Sequence, residues 1–130
     1  MKKIALFILL VVFASAAKSQ TVDCFNFKEG KFRIADTRAG VVTIADRRGG
    51  YQTESSETLK AIVRFKIAWQ DDCTYTLRLD KVIRNENKIA FPLDLEIHVK
   101  IIATTANGYT QQTSSSLTNG TYLVEVVKID

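Results

Sequence analysis

Beyond residue 30 no stretch of the chain repeats apolar residues with a helical period. Apolar and polar residues alternate instead, in short runs closed by glycine, Asn-Gly, Asp-Asp or serine-rich segments. Alternation with a period of two over such lengths is the pattern of half-buried antiparallel strands. The pattern predicts strands over 31–36, 41–47, 51–54, 59–69, 74–82, 95–106, 109–117 and 121–129. Asn107-Gly108 and Asn119-Gly120 are the strongest hairpin signals, because a two-residue type I′ turn needs positive φ at both central positions. Eight strands within about 110 residues predict an all-β single domain, a small closed or nearly closed barrel. A two-sheet β-sandwich is the alternative. The barrel is preferred because the meander connections are short and closure removes exposed strand edges. Barrels of this size either fill with side chains or hold one small ligand.

Two segments fix a register. Ala61, Val63, Phe65, Ile67 and Trp69 alternate with polar neighbours, as do Tyr75, Leu77 and Leu79. A hairpin looped at Gln70-Asp71-Asp72 sets Ile67 opposite Tyr75, Phe65 opposite Leu77 and Val63 opposite Leu79, with all apolar partners on one face. Further on, Leu95, Ile97, Val99 and Ile101 point inward. Their return strand, Tyr109 to Ser116, has no apolar face. A straight register through Asn107-Gly108 turns Thr110, Gln112, Ser114 and Ser116 inward. That leaves three readings: a hairpin projecting beyond the core, a wet cavity, or a bulge that shifts the register. The last strand carries apolar residues on both sides, Leu123, Val127 and Ile129 against Val124 and Val126, and is expected to be buried on both faces or twisted.

The N-terminus reads differently from the rest. Met1-Lys2-Lys3 precedes ten unbroken apolar residues, Ile4 to Phe13, and then the small residues Ala14 to Ala17. This is the layout of a secretory signal peptide, and the run is too short for the roughly 20 residues of a transmembrane helix. Residues 1–19 are expected to be a signal peptide and 20–130 the mature domain, with cleavage after Ala16, Ala17 or Ser19. The expected location is the periplasm or the extracellular space. The whole chain has 18 basic and 14 acidic residues, a net charge of +4. Removing Lys2, Lys3 and Lys18 leaves 15 against 14, so charge gives no support for a nucleic-acid partner. In an oxidising compartment Cys24 and Cys73, the only cysteines, are expected to form a structural disulfide. Two cysteines and one histidine cannot close a four-ligand metal shell without carboxylates, and no metal or cofactor is expected.

Three pieces of the sequence carry a resemblance: Cys24-Phe25-Asn26-Phe27-Lys28-Glu29-Gly30-Lys31-Phe32, then Arg48 with Gln52-Thr53-Glu54, then Trp69-Gln70-Asp71-Asp72-Cys73-Thr74-Tyr75. In this order the chain resembles small exported proteins of Bacteroidetes that have no established function. Such proteins sometimes bear a topoisomerase IV subunit label. This chain excludes that activity, having no ATP-binding motif and no room for a cleavage domain. The resemblance implies no catalytic residues. By fold analogy alone, the meander also resembles calycin and lipocalin barrels.

No nucleophile elbow, P-loop or dinucleotide fingerprint is present. His98, the single histidine, falls on an outer face between Glu96 and Lys100. Asp71-Asp72 suits a turn. Glu54 and Glu57 flank Ser55-Ser56, and a glycosidase pair would require them to face each other. Arg47-Arg48-Gly49-Gly50 reads as a turn with two exposed arginines. Lys60, Arg64 and Lys66 share an outer face, with Arg78 opposite Arg64, as a candidate anion or partner patch. Thr110, Gln112, Ser114, Ser116, Trp69 and Tyr75 are the candidate ligand-binding residues. The expected function is that of a non-enzymatic, monomeric binding module for a small apolar or amphipathic molecule. The alternative is a structural or protein-interaction domain of the cell envelope.

Overall fold

The computed structural model describes residues 22–130. The signal segment and its cleavage sites lie outside the described residues. A short 3-10 turn, Phe25–Phe27, precedes eight strands: β1 Gly30–Asp36, β2 Val41–Arg48, β3 Tyr51–Ser56, β4 Ala61–Trp69, β5 Thr74–Asn85, β6 Glu96–Thr104, β7 Gly108–Ser115 and β8 Tyr122–Lys128. Each pairs antiparallel with the next, and β8 returns to β1, closing an eight-stranded meander barrel. All eight expected strands form, and the barrel, not the sandwich, is the architecture.

A meander sends alternate turns to alternate ends. The segment Cys24–Phe27 and the β2–β3, β4–β5 and β6–β7 turns share one end. The β1–β2, β3–β4 and β7–β8 turns and the longer connection between β5 and β6 share the other. Cys24 and Cys73 are bonded, with Cα atoms 5.3 Å apart. The bridge ties the N-terminal segment across the first end. Phe27, 2 % exposed, enters the barrel there and packs on Tyr109 and Phe32, with ring centroids 5.1 and 6.4 Å away.

Two registers and the burial of one strand differ from expectation. In β4–β5, Trp69 faces Tyr75, Ile67 faces Leu77 and Phe65 faces Leu79. The loop is two residues longer than read, which shifts partners by two and preserves the inward face. In β6–β7, Ala103 pairs with Thr110 but Ile101 pairs with Gln111, so Ile102 is a bulge. One extra residue reverses the facing of the return strand. Tyr109, Gln111 and Thr113 are consequently the buried residues of β7, while Ser116 is exposed and Gln112 and Ser114 border an outer groove beside His98. The expected inward set Thr110, Gln112, Ser114 and Ser116 is thereby corrected. In β8, Val124 and Val126 are buried and Leu123 and Val127 lie exposed, as does Ile129 just beyond it, so the strand is not buried on both faces.

The turns differ as well. Gly108 begins β7 and lacks positive φ. Its role is steric, since a Cβ there would collide with the Val126 carbonyl oxygen on β8. Of the Asn119-Gly120 pair, only Gly120 has positive φ. The two-residue turn with both φ positive lies at Gly49-Gly50, at 60° and 81°. It sets Arg48 opposite Tyr51 and Arg47 opposite Gln52.

Candidate functional site

Because Gly49-Gly50 is a two-residue hairpin turn, strand alternation runs unbroken through it. Thr43, Ala45 and Arg47 on β2 therefore share the inner face with Gln52 and Glu54 on β3. Arg47 is 1 % exposed, which corrects the expectation of two exposed arginines; only Arg48 is on the surface. A guanidinium inside a barrel is tolerable only when its donors are matched. Here Nε donates to Gln52 Oε1 at 2.8 Å and Nη1 to the Phe27 carbonyl at 2.5 Å. Nη2 donates to the hydroxyls of Tyr75 and Tyr109 at 3.0 and 2.9 Å. The planar group also lies over rings, with Cζ 4.4 Å from the Phe32 centroid, 4.8 Å from Tyr75 and 5.7 Å from Trp69. These contacts favour the desolvated cation. Burial acts to lower the Arg47 pKa, but the Tyr75 and Tyr109 oxygens and Glu54 more than offset it, so Arg47 stays charged. Burial and the neighbouring Tyr109 hold the Tyr75 hydroxyl far above its ordinary value despite Arg47, so Tyr75 is a neutral phenol.

From Arg47 two hydrogen-bonded chains run toward the other end of the barrel. One passes through Gln52, whose amide donates to Glu54 Oε1 at 3.1 Å. The second passes through Tyr75 to Gln111 Oε1 at 3.5 Å and on to Thr113 Oγ1 at 2.9 Å. Both chains end in the wall of a cavity of about 270 Å³. Ile34, Val41, Leu77, Ile97, Val99 and Val124 form its apolar wall, and Gln52, Glu54, Tyr75, Gln111 and Thr113 its polar part. Asp36, Ala39, Leu59 and Tyr122 stand at the end away from the cystine. Among the described residues no Ser, Cys, His or Lys lines it.

The two carboxylates of this cavity differ. Asp36 accepts from the backbone N–H groups of Arg38 and Ala39 at 3.0 and 3.3 Å and from the Arg38 guanidinium at 3.2 Å. Burial acts to raise its pKa, but those donors outweigh burial and leave it below the ordinary value. Glu54 accepts only from Gln52 among the described residues. Desolvation raises its pKa, and the Gln52 amide and the more distant Arg47 charge only partly offset that.

The other expected site residues fall elsewhere. Tyr75 lines the cavity, but Trp69 does not; it packs at the opposite end on Tyr75, 4.6 Å between centroids, with Lys28 Nζ 3.7 Å above it. Lys60 sits in the β3–β4 turn at φ 51°. Arg78 faces Lys66, not Arg64, which faces Lys81. Arg64 and Lys66 both reach Asp80, at 2.7 and 3.8 Å, and Arg78 reaches Glu96 at 3.6 Å, so the basic stripe is largely paired. Glu57 is exposed and bonded to Arg84, and does not face Glu54. Asp71 Oδ1 accepts from the Cys73 N–H at 2.8 Å, which lowers its pKa and confirms the turn role. His98 lies on the outer face, between Glu96 Oε1 and the Thr76 hydroxyl, each 3.3 Å away. Among the described residues no group of three His, Cys, Asp or Glu side chains could hold a metal ion, and no helix is long and apolar enough to cross a membrane.

The sequence reading missed Arg47, Gln52 and Glu54 as interior residues, and Asp36 and Tyr122 at the mouth. The one available signal was Gly49-Gly50. Read as a two-residue hairpin, it fixes the pairing of 47 with 52 and carries the inward alternation of β2 into β3. No family model matches the chain, and no curated protein or solved structure matches it.

Proposed function

We propose that the chain is an exported binding module that holds a small, largely apolar molecule inside its barrel. The observation that carries this reading is the interior cavity itself. At about 270 Å³ it falls just below the usual ligand-pocket range of about 300–1,000 Å³, which restricts the occupant to a very small molecule. Apolar walls with a few convergent polar groups are the usual composition of such sites. Binding, not catalysis, suits a lining whose described residues include no serine, cysteine, lysine or histidine. Export is supported by the charged, apolar and small-residue order of positions 1–19 and by the cystine.

The alternative, an envelope interaction domain without a ligand, draws support from the exposed Leu123 and Val127 on β8 and Ile129 just beyond it. It draws less from the basic stripe, whose charges are spent on Asp80 and Glu96. The two readings separate by native mass spectrometry of the full chain expressed with its leader and recovered from the periplasm. The binding reading expects a chain cleaved between Ala16 and Gln20, lighter by two hydrogens at the cystine, with a small molecule released on denaturation. An uncleaved chain would refute export. A cleaved chain that carries nothing and binds no small apolar probe would refute the binding module.

A further inference from the structure

Resting on that reading of the cavity, we propose that it selects ligands with a protonated amine on an apolar body, the ammonium group bonded to Glu54. The argument is one of unequal satisfaction. Asp36 is held by a guanidinium and two backbone N–H groups. Glu54, within the barrel, accepts one neutral amide hydrogen bond. The nearest interior cation, Arg47, has given bonds to Gln52, Phe27, Tyr75 and Tyr109 and lies behind Gln52, outside the cavity lining. A carboxylate half-buried in a largely apolar cavity gains most from a charge-assisted donor, and none of the described lining residues supplies one.

The remaining lining sharpens the choice. The titratable groups that face the cavity with Glu54 are Asp36 from β1, Tyr75 from β5 and Tyr122 from β8, and Arg38 stacks on the Tyr122 ring at 3.6 Å while paired with Asp36. Strands β6 and β7 contribute uncharged residues, Ile97, Val99, Gln111 and Thr113, and β4 contributes none. Both formal charges of the lining are therefore negative. An anionic ligand meets repulsion without a free cation, a neutral one leaves Glu54 half-satisfied, and an ammonium corrects the deficit. Discrimination thus comes from repulsion as well as attraction. The raised pKa of Glu54 and the lowered pKa of Asp36 separate the two in titration: acidification neutralises Glu54 first.

Isothermal titration of the purified protein with phenethylamine, phenethyl alcohol and hydrocinnamate tests this. The amine is expected to bind about tenfold or more tighter than the alcohol, the scale of a hydrogen bond to a charged group, and hydrocinnamate weakest of all. Glu54→Gln removes the amine's advantage, so that amine and alcohol bind alike. Should that variant fold poorly, a pH series on the unaltered protein serves instead. The amine's advantage shrinks as pH falls through the Glu54 titration, whereas alcohol binding stays level. Equal affinity for amine and alcohol, or an advantage that persists at every pH, overturns the selectivity and leaves the cavity as a binding site. No binding of any of the three overturns both.

Discussion

At the cystine end of the barrel the inner face carries Phe27, Phe32, Arg47, Tyr75 and Tyr109; at the far end it carries Ile34, Val41, Thr43, Thr113 and Val124. Strand count, spacing and alternation are the same at both. The first set is long or aromatic and meets across the axis, and Arg47 joins its members by hydrogen bonds. The second set is too short to meet, and a cavity remains. One sheet thus holds a filled half and an empty half, and side-chain length decides which is which. The same substitution should therefore act differently at the two ends.

The largest effect is expected at the filled end. Arg47→Leu strands the acceptors on Gln52, Phe27, Tyr75 and Tyr109, and should cost about 4–5 kcal/mol of unfolding free energy, at roughly 1 kcal/mol or more for each. A loss below about 1 kcal/mol in urea titration would mean the network is not what seals that end. Next comes the cystine. Opening the Cys24–Cys73 link with a double Cys→Ser variant frees a loop spanning 49 residues, and chain entropy puts the loss at about 4 kcal/mol.

A matched pair sharpens the contrast. Val126→Phe inserts a ring where Val126 is 1 % exposed, and overpacking of that kind costs about 1–3 kcal/mol. Val124→Phe, two residues along the same face of the same strand, points into the cavity. It should leave thermal stability nearly unchanged and abolish binding of an apolar probe. Equal destabilisation by the two would remove the distinction between the ends.

The smallest effect is the pH dependence of Glu54. Its folded pKa is raised by burial. Its stabilising contribution is therefore complete below the ordinary carboxyl value and lost as pH rises through the raised value. Glu54→Gln should melt higher than the unaltered protein at pH 8 and alike at pH 4. Asp36, with its pKa lowered by Arg38 and the Ala39 N–H, behaves oppositely, and Asp36→Asn should destabilise at pH 8 while converging at low pH.

Much of this was legible in the sequence, unevenly. The strands were, because β1, β4 and β6 alternate apolar with polar residues and the alternation carries a phase. The cystine was, because two cysteines permit one pairing. The facing of β7 was not. Tyr109, Gln111 and Thr113 are nearly as polar as Thr110, Gln112 and Ser114, so the pattern has no sign, and the Ile102 bulge that decides it leaves no compositional mark. Arg47 was missed because charge ordinarily marks the surface. Its burial depends on four acceptors from four separate segments, Phe27, Gln52, Tyr75 and Tyr109, which converge only once the barrel closes. Glu54 was noticed, but paired with Glu57 on a loop that is in fact a strand end and a turn. The empty half was the least legible, since a cavity is an absence of volume that no single residue announces.

The most direct test of a barrel filled at one end and open to a ligand at the other is a methyl-resolved NMR titration with phenethyl alcohol. Shifts confined to the methyl groups of Ile34, Leu77, Ile97, Val99 and Val124, with Val126 and Ile67 unmoved, are the predicted result. Shifts centred on Leu123, Val127 and Ile129 at the outer surface, or none at all, would contradict it.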